Sequence, residues 1–237
     1  AMRATRRGSW PALLVAALGA LAAGEPATAC TTAVISGRAT ADGRPLLWKN
    51  RDAADTHNQV VWRGDGRYPY LGVVNRGDAL GMEIWAGVNG AGFAIMNSAS
   101  YNLDDKETVA EGAIMKLALQ SCRTVAEFQA LLDASNATGR DTTANFGVID
   151  AAGGAAYFET GLKSYRRYDA TDPAQAPGGW LIRTNFSASG DPELGAGILR
   201  NERATALLGE ILGTGKLDLG TLLARVARDV AHPATGL

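Results

Sequence analysis

Apolar residues follow three rhythms along this chain. An unbroken apolar run covers 10–23; short runs at strand spacing, punctuated by turn residues, fill 31–97; runs at helical spacing alternate with further strand-like runs from there on. The first set predicts strands over 31–36, 45–49, 59–62, 82–86 and 93–97, with Ala41-Asp42-Gly43 and Asn89-Gly90 as turns in an antiparallel meander. Helices are expected over 107–119 and 125–132. Thr124 and Glu127 announce the second as a capping box, in which hydroxyl and carboxylate satisfy backbone donors. A second sheet is expected from strands at 145–149, 155–159, 164–168 and 180–184, the first two joined across Ala151-Ala152-Gly153-Gly154. Helices over 198–212 and 217–231 close the pattern, with Leu207, Leu208, Ile211 and Leu212 on one face of the first, and Leu222, Leu223 and Val226 on the second. This order predicts an α+β fold in one domain, two sheets face to face with helices outside.

The first 29 residues read differently. Arg3, Arg6 and Arg7 precede the apolar run, and Ala27-Thr28-Ala29 ends it, the pattern of a secretory signal peptide over 1–29 with a mature domain over 30–237. The run is short for a bilayer span, so an exported chain, periplasmic or secreted, without a stable membrane span is expected. Cleavage after Ala29 would leave Cys30 first, with a free α-amino group. Two other readings of Cys30 stay open here, a lipidated anchor and a structural cysteine. A lipoprotein signal needs a large aliphatic residue where Ala27 stands, and a polar tether where Thr31-Thr32-Ala33-Val34-Ile35 reads as strand.

Charge narrows the partners. With 23 basic and 24 acidic residues among 237, net −1, and no basic run beyond the extreme N-terminus, nucleic acid is not expected; a small molecule is, and a homo-oligomer is left open. Two cysteines, Cys30 and Cys122, make no disulfide framework, and His57 and His232 have neither zinc-type spacing nor a catalytic context, so no metal or cofactor is expected. Any general base must come from elsewhere. Gly87, Gly90 and Gly92 lack the spacing and the βαβ context of a dinucleotide loop, and Cys122, ending an apolar helical run, reads as packing.

The stretches Cys30-Thr31-Thr32, Asp42-Gly43-Arg44-Pro45-Leu46-Leu47 and Trp48-Lys49-Asn50-Arg51-Asp52 resemble the start of the choloylglycine hydrolase and penicillin V acylase group, and the related acyl-CoA:6-aminopenicillanate acyltransferase-like hydrolases. The resemblance implies an N-terminal nucleophile (Ntn) hydrolase with an αββα four-layer sandwich of two antiparallel sheets, an N-terminal cysteine nucleophile and linear acyl-amide substrates. Cys30 takes the nucleophile's position, and Lys49 and Asp52 those of a supporting cation and carboxylate. The group usually has arginine where Lys49 stands, so Arg51 competes for that role; read alone, the tetrad is also a polar strand end. Asn97, ending a strand, and Asn185, after Trp180-Leu181-Ile182-Arg183-Thr184, match asparagines of the oxyanion site. Arg200, with Arg203 a turn later, matches an arginine opening a helix. Members of the group continue past the last helix with further core strands, so a C-terminal truncation at Leu237 is expected. The implied cycle uses the α-amine of Cys30, unperturbed pKa about 7.7–8.0, as base.

Overall fold

The computed structural model describes residues 30–53, 55–103 and 111–229. The expected leader, the first turn of the helix expected from 107, and the tail from 230 with His232 lie outside the described residues. In chain order the elements are β1 Thr31–Ile35, β2 Leu46–Asn50, β3 Asn58–Arg63, β4 Tyr70–Asn75, β5 Ala86–Asn89 and β6 Ala94–Ala99, then α1 Glu111–Ser121 and α2 Val125–Asn136. After them come β7 Ala144–Ile149, β8 Ala155–Thr160, β9 Tyr165–Asp169, β10 Trp180–Arg183, α3 Ile198–Gly213 and α4 Leu219–Thr221, which runs on as a π-helical turn over Leu222–Val226.

The strands form two antiparallel sheets, β10-β1-β2 and β3 to β9 in sequence order. This corrects the expected division into an N-terminal and a C-terminal sheet. β6 pairs with β7 across the two intervening helices, from Ala94↔Ile149 to Ala99↔Ala144. β10 returns to β1, matching Thr32 with Arg183. The reason lies in β1, whose five residues are all buried. A strand with no polar face needs cover on both faces and a partner at both edges.

Three clusters of buried side chains follow from this layout. Val61, Ile84 and Phe146 of the large sheet region pack with Met115 and Leu119 of α1 and Phe128 and Leu132 of α2. Phe128 is the hub, its ring centroid 6.1 Å from Phe93, 5.8 Å from Phe146 and 5.2 Å from Phe158; truncating such a residue to alanine costs about 3–5 kcal/mol. Leu207, Leu208 and Ile211 of α3, with Leu222 and Val226, cover Ala33, Ile35, Trp48 and Ile182 of the small sheet. Val34 of β1 meets Met96 and Tyr157 of the large sheet in the third.

Strand β4 has no counterpart among the elements expected from sequence, and the strand expected over 82–86 is instead β5, starting at Ala86. Glycines account for both. Gly72 of β4 faces Gly87 of β5. A Cβ on Gly72 would lie 2.6 Å from Ile84 Cδ1, and one on Gly87 would lie 2.5 Å from Leu119 Cδ1. The strands are thinned so that Ile84 and α1 can approach, which erases the alternation a strand is recognised by. Met82 and Glu83 donate their backbone N–H groups to the Asp78 carboxylate, both at 2.9 Å, a turn rather than a strand.

The helices depart less. α2 begins where expected, with Thr124 Oγ1 accepting from Glu127 N at 3.1 Å, but the Glu127 carboxylate takes Arg123 N, and the helix continues to Asn136. Among the described residues, the helix expected over 217–231 is reduced to the three residues of α4, capped by Asp218, and the π-helical turn, where Ala227 N donates to Leu222 O at 2.9 Å. Leu222 and Val226, at the two ends of this turn, both enter the core. Asn50 Nδ2 then donates to Ala227 O at 2.9 Å.

Candidate active site

Cys30 stands directly before β1, half-buried, its sulfur donating a long 3.9 Å hydrogen bond to the backbone carbonyl of Asp52. Asp52 follows β2, and its residue is exposed. The pairing Thr31↔Asn50 and Thr32↔Lys49 sets the ends of these two strands side by side, so Lys49 is placed by register.

Lys49 crosses from the small sheet to the large one. Its ammonium donates to Asn97 Oδ1 at 2.7 Å and to the Trp85 carbonyl at 2.9 Å. Both acceptors are neutral. Burial pulls the ammonium down to about 8, with Arg51 adding to the fall and Cys30 and Glu111 opposing it. Arg51 also feels Cys30, but its guanidinium is committed elsewhere. It donates to the Asp55 carbonyl, Asn58 Oδ1 and Asn75 Oδ1 at 3.1, 2.7 and 2.7 Å, and lies 5.1 Å from the Trp85 ring centroid. Between the two cations left open by the sequence, Lys49 is the one bonded to another candidate residue.

Asn185 and Arg200 form the other half of the site. Arg200 Nη1 donates to the Cys30 carbonyl at 2.6 Å and to Thr31 Oγ1 at 3.2 Å, and Nη2 donates to Asn185 Oδ1 at 3.1 Å. One guanidinium thus ties the residue before β1 to the second residue after β10, the fork geometry lysine lacks. It reaches them because Gly197, left-handed at φ 82°, opens α3; a Cβ there would collide with the guanidinium. Asn185 Nδ2 donates to the Ala99 carbonyl at 3.2 Å. An amide nitrogen carries two hydrogens, which leaves it a further hydrogen-bonding capacity. Arg203, the neighbouring alternative, pairs with Asp229 at 2.6 Å. A cavity of about 670 Å³ opens beside these groups, lined by Thr31, Lys49, Arg51, Asp52, Arg200 and Arg203 among others.

Glu111 was not among the residues marked from sequence. It begins α1, is 6 % exposed, and interacts with Lys49 through space. Burial pushes its carboxyl up to about 7, against the pull of Lys49 and with a contribution from Glu83. The one available signal was an acidic residue at the start of an apolar helical run, and helix N-termini commonly carry those for dipole reasons. Cys122 is buried, as packing requires, and burial raises its thiol. His57 is exposed, 3.4 Å from Asp55. Among the described residues no cluster of His, Cys, Asp and Glu could hold a metal ion, and no helix is long and apolar enough to cross a membrane.

Solved structures resemble this chain to different degrees. An N-acylethanolamine-hydrolyzing acid amidase (NAAA) ortholog from Caenorhabditis elegans matches with a TM-score of 0.61 at 16 % identity, over 87 % of this chain and 89 % of that one. Penicillin V acylase from Agrobacterium tumefaciens matches at 0.44 and 15 %, over 89 % and 67 %. A mutant of conjugated bile acid hydrolase from Clostridium perfringens matches at 0.42 and 16 %, over 59 % and 50 %. No protein-family model and no curated protein matches the chain by sequence. The chain has a mixed α+β fold with two antiparallel sheets, the fold of that N-acylethanolamine-hydrolyzing acid amidase ortholog.

Proposed function

We propose that this chain is a cysteine amidohydrolase of the Ntn type, cleaving the linear carbon–nitrogen amide bond of a small acylated substrate. The observation that carries the reading is the Arg200 fork, which draws the Cys30 backbone and the Asn185 side chain into one hydrogen-bonded unit. Two sheets facing each other between helical layers, the αββα order, fit the three buried clusters. Export with cleavage after Ala29 would expose the α-amine that the chemistry needs.

In the proposed cycle the Cys30 amine takes the thiol proton, and the sulfur attacks the amide carbonyl. Asn185 Nδ2 donates to the oxyanion as it forms, while Lys49 and Arg51 present positive charge to the sulfur. The protonated amine gives its proton to the leaving nitrogen, and the C–N bond breaks to a thioester. Water, deprotonated by the same amine, attacks the thioester carbonyl and releases the acid and the thiol. Thr31 is already buried next to Cys30, which leaves no tether of the kind a lipid-anchored cysteine needs and speaks against the alternative of an exported lipoprotein or binding module lipidated at Cys30.

The test joins intact mass and N-terminal sequencing of the exported protein to a screen of acyl amides with wild type and Cys30→Ala. Turnover by a protein starting at Cys30, lost in the variant, supports the reading. A diacylglyceryl adduct on Cys30, or a start downstream of it, ends the hypothesis.

A further inference from the structure

Asn185 sits in a stretch held by side chains more than by regular structure. Between β10 and α3 its backbone forms an isolated bridge with Ala196 and accepts a hydrogen bond from Tyr101 N. Beneath it lies Asn145 of β7, fully buried and opposite Ser98 of β6. Asn145 Nδ2 donates to the Thr184 carbonyl at 3.3 Å and to the Phe186 carbonyl at 3.1 Å, those of the two residues that bracket Asn185, and to Ser98 Oγ at 3.2 Å. Its Oδ1 accepts from Ser187 Oγ at 2.5 Å.

That last bond sets the direction of the amide. With the Ser187 hydroxyl donating to Oδ1, Nδ2 is the end that faces the carbonyls. Ser187 is itself fixed, its N–H donating to Asn102 Oδ1 at 2.7 Å and its hydroxyl 2.8 Å from Ser100 Oγ. Further along, Glu159 accepts from Ala188 N and Ser189 N, both at 2.8 Å. A buried amide costs stability unless each end is satisfied, and an aliphatic side chain would fill the space without that risk. What the amide adds is a hold on the backbone at the two residues that bracket Asn185. Rotations of about 10–20° there would move a donor out of productive geometry.

We propose that Asn145 is the positioning residue for Asn185, holding its side chain where an oxyanion forms. This rests on the role given above to Asn185. The experiment measures kcat and KM for wild type, Asn145→Asp, Asn185→Ala and the double variant on the best acyl amide of the screen, with thermal unfolding as the check on fold. Hydrogen exchange is followed at Tyr101 N–H, which donates to Asn185 O at 3.2 Å.

Asn145→Asp keeps the shape and sets a carboxylate oxygen against the two carbonyls. The expected result is a loss of roughly tenfold or more in kcat, KM within about twofold, and faster exchange at Tyr101. The double variant should be no slower than Asn185→Ala, because a residue acting only through Asn185 has nothing left to act on. Losses that multiply overturn the proposal, as does wild-type kcat in Asn145→Asp beside a crippled Asn185→Ala. Wild-type kcat in Asn185→Ala would instead defeat the oxyanion assignment and take this proposal down with it. If Asn145→Asp does not fold, Ser187→Ala, which removes the hydroxyl that orients the amide, runs the same cycle with the same criteria.

Discussion

On one side of Cys30 stand Lys49, Arg51 and Glu111; on the other stand Asn185, Asn145 and Ser187, and the two groups hold their form by different means. The first is charged, and its properties follow from burial, which brings Lys49 to about 8 and Glu111 to about 7. Its action depends on pH. The second is built of amides and hydroxyls that do not titrate in that range, and its action depends on direction. Arg200 brings a charged side chain into the neutral group by bonding to Asn185. A charged flank tolerates a small displacement, because Coulomb energy falls slowly with distance, whereas a hydrogen-bond donor weakens steeply once its angle departs from line.

Cys30→Ala should give the largest effect and is blind to the difference, removing activity on the order of a thousandfold or more without unfolding the domain, as read by progress curves and far-UV circular dichroism. Asn185→Ala comes next and tests the neutral side. A loss of roughly a hundredfold in kcat is expected, with the pH–rate profile unmoved. A displaced profile would mean that Asn185 belongs to the charged side after all.

Lys49→Arg sharpens the other half. As pH rises through about 8, Lys49 loses its positive charge, whereas arginine keeps it. Any alkaline fall in rate due to this cation should therefore move to higher pH in the variant, with the rate near neutral pH within about tenfold of wild type given the altered shape. An alkaline limb that stays in place assigns it to another group.

Glu111→Gln should show the smallest effect, in stability. The folded carboxyl holds its proton to about 7, the unfolded one releases it near 4.5. Between those values the folded state binds more protons, so stability falls as pH rises across that window. Glutamine does not titrate. Thermal unfolding should thus show a Tm advantage of a few degrees for the variant at about pH 8 that is nearly absent at about pH 4. Equal shifts at both pH values would mean that the burial of Glu111 is not what matters.

Much of the charged side could be read directly from the chain, because Cys30 and the run from Lys49 to Asp52 lie within one hairpin and share its register. Asn97, Asn185 and Arg200 could be marked as candidates, but the meeting of Asn185 and Arg200 with Cys30 depends on β10 joining β1, a pairing between residues some 150 positions apart that no local pattern encodes. Glu111 and Asn145 were invisible for a different reason. Glu111 lies on a helix, where its type is ordinary, and Asn145 opens the strand expected from 145, where asparagine reads as a boundary residue; only burial beside Lys49 or beneath Thr184 and Phe186 gives them significance. The missed strand β4 follows from Gly72, chosen by its neighbours across the core and not by its own sequence context.

The contact between Gly197 and Arg200 also bears on history. A side chain at position 197 would meet the Arg200 guanidinium and, at 2.9 Å, Thr184 Cβ, on a backbone already left-handed. Replacing Arg200 removes the first obstacle and leaves the other two, so glycine stays the fitting residue at 197 whatever becomes of the fork. A descendant that lost the arginine would therefore keep the way back open.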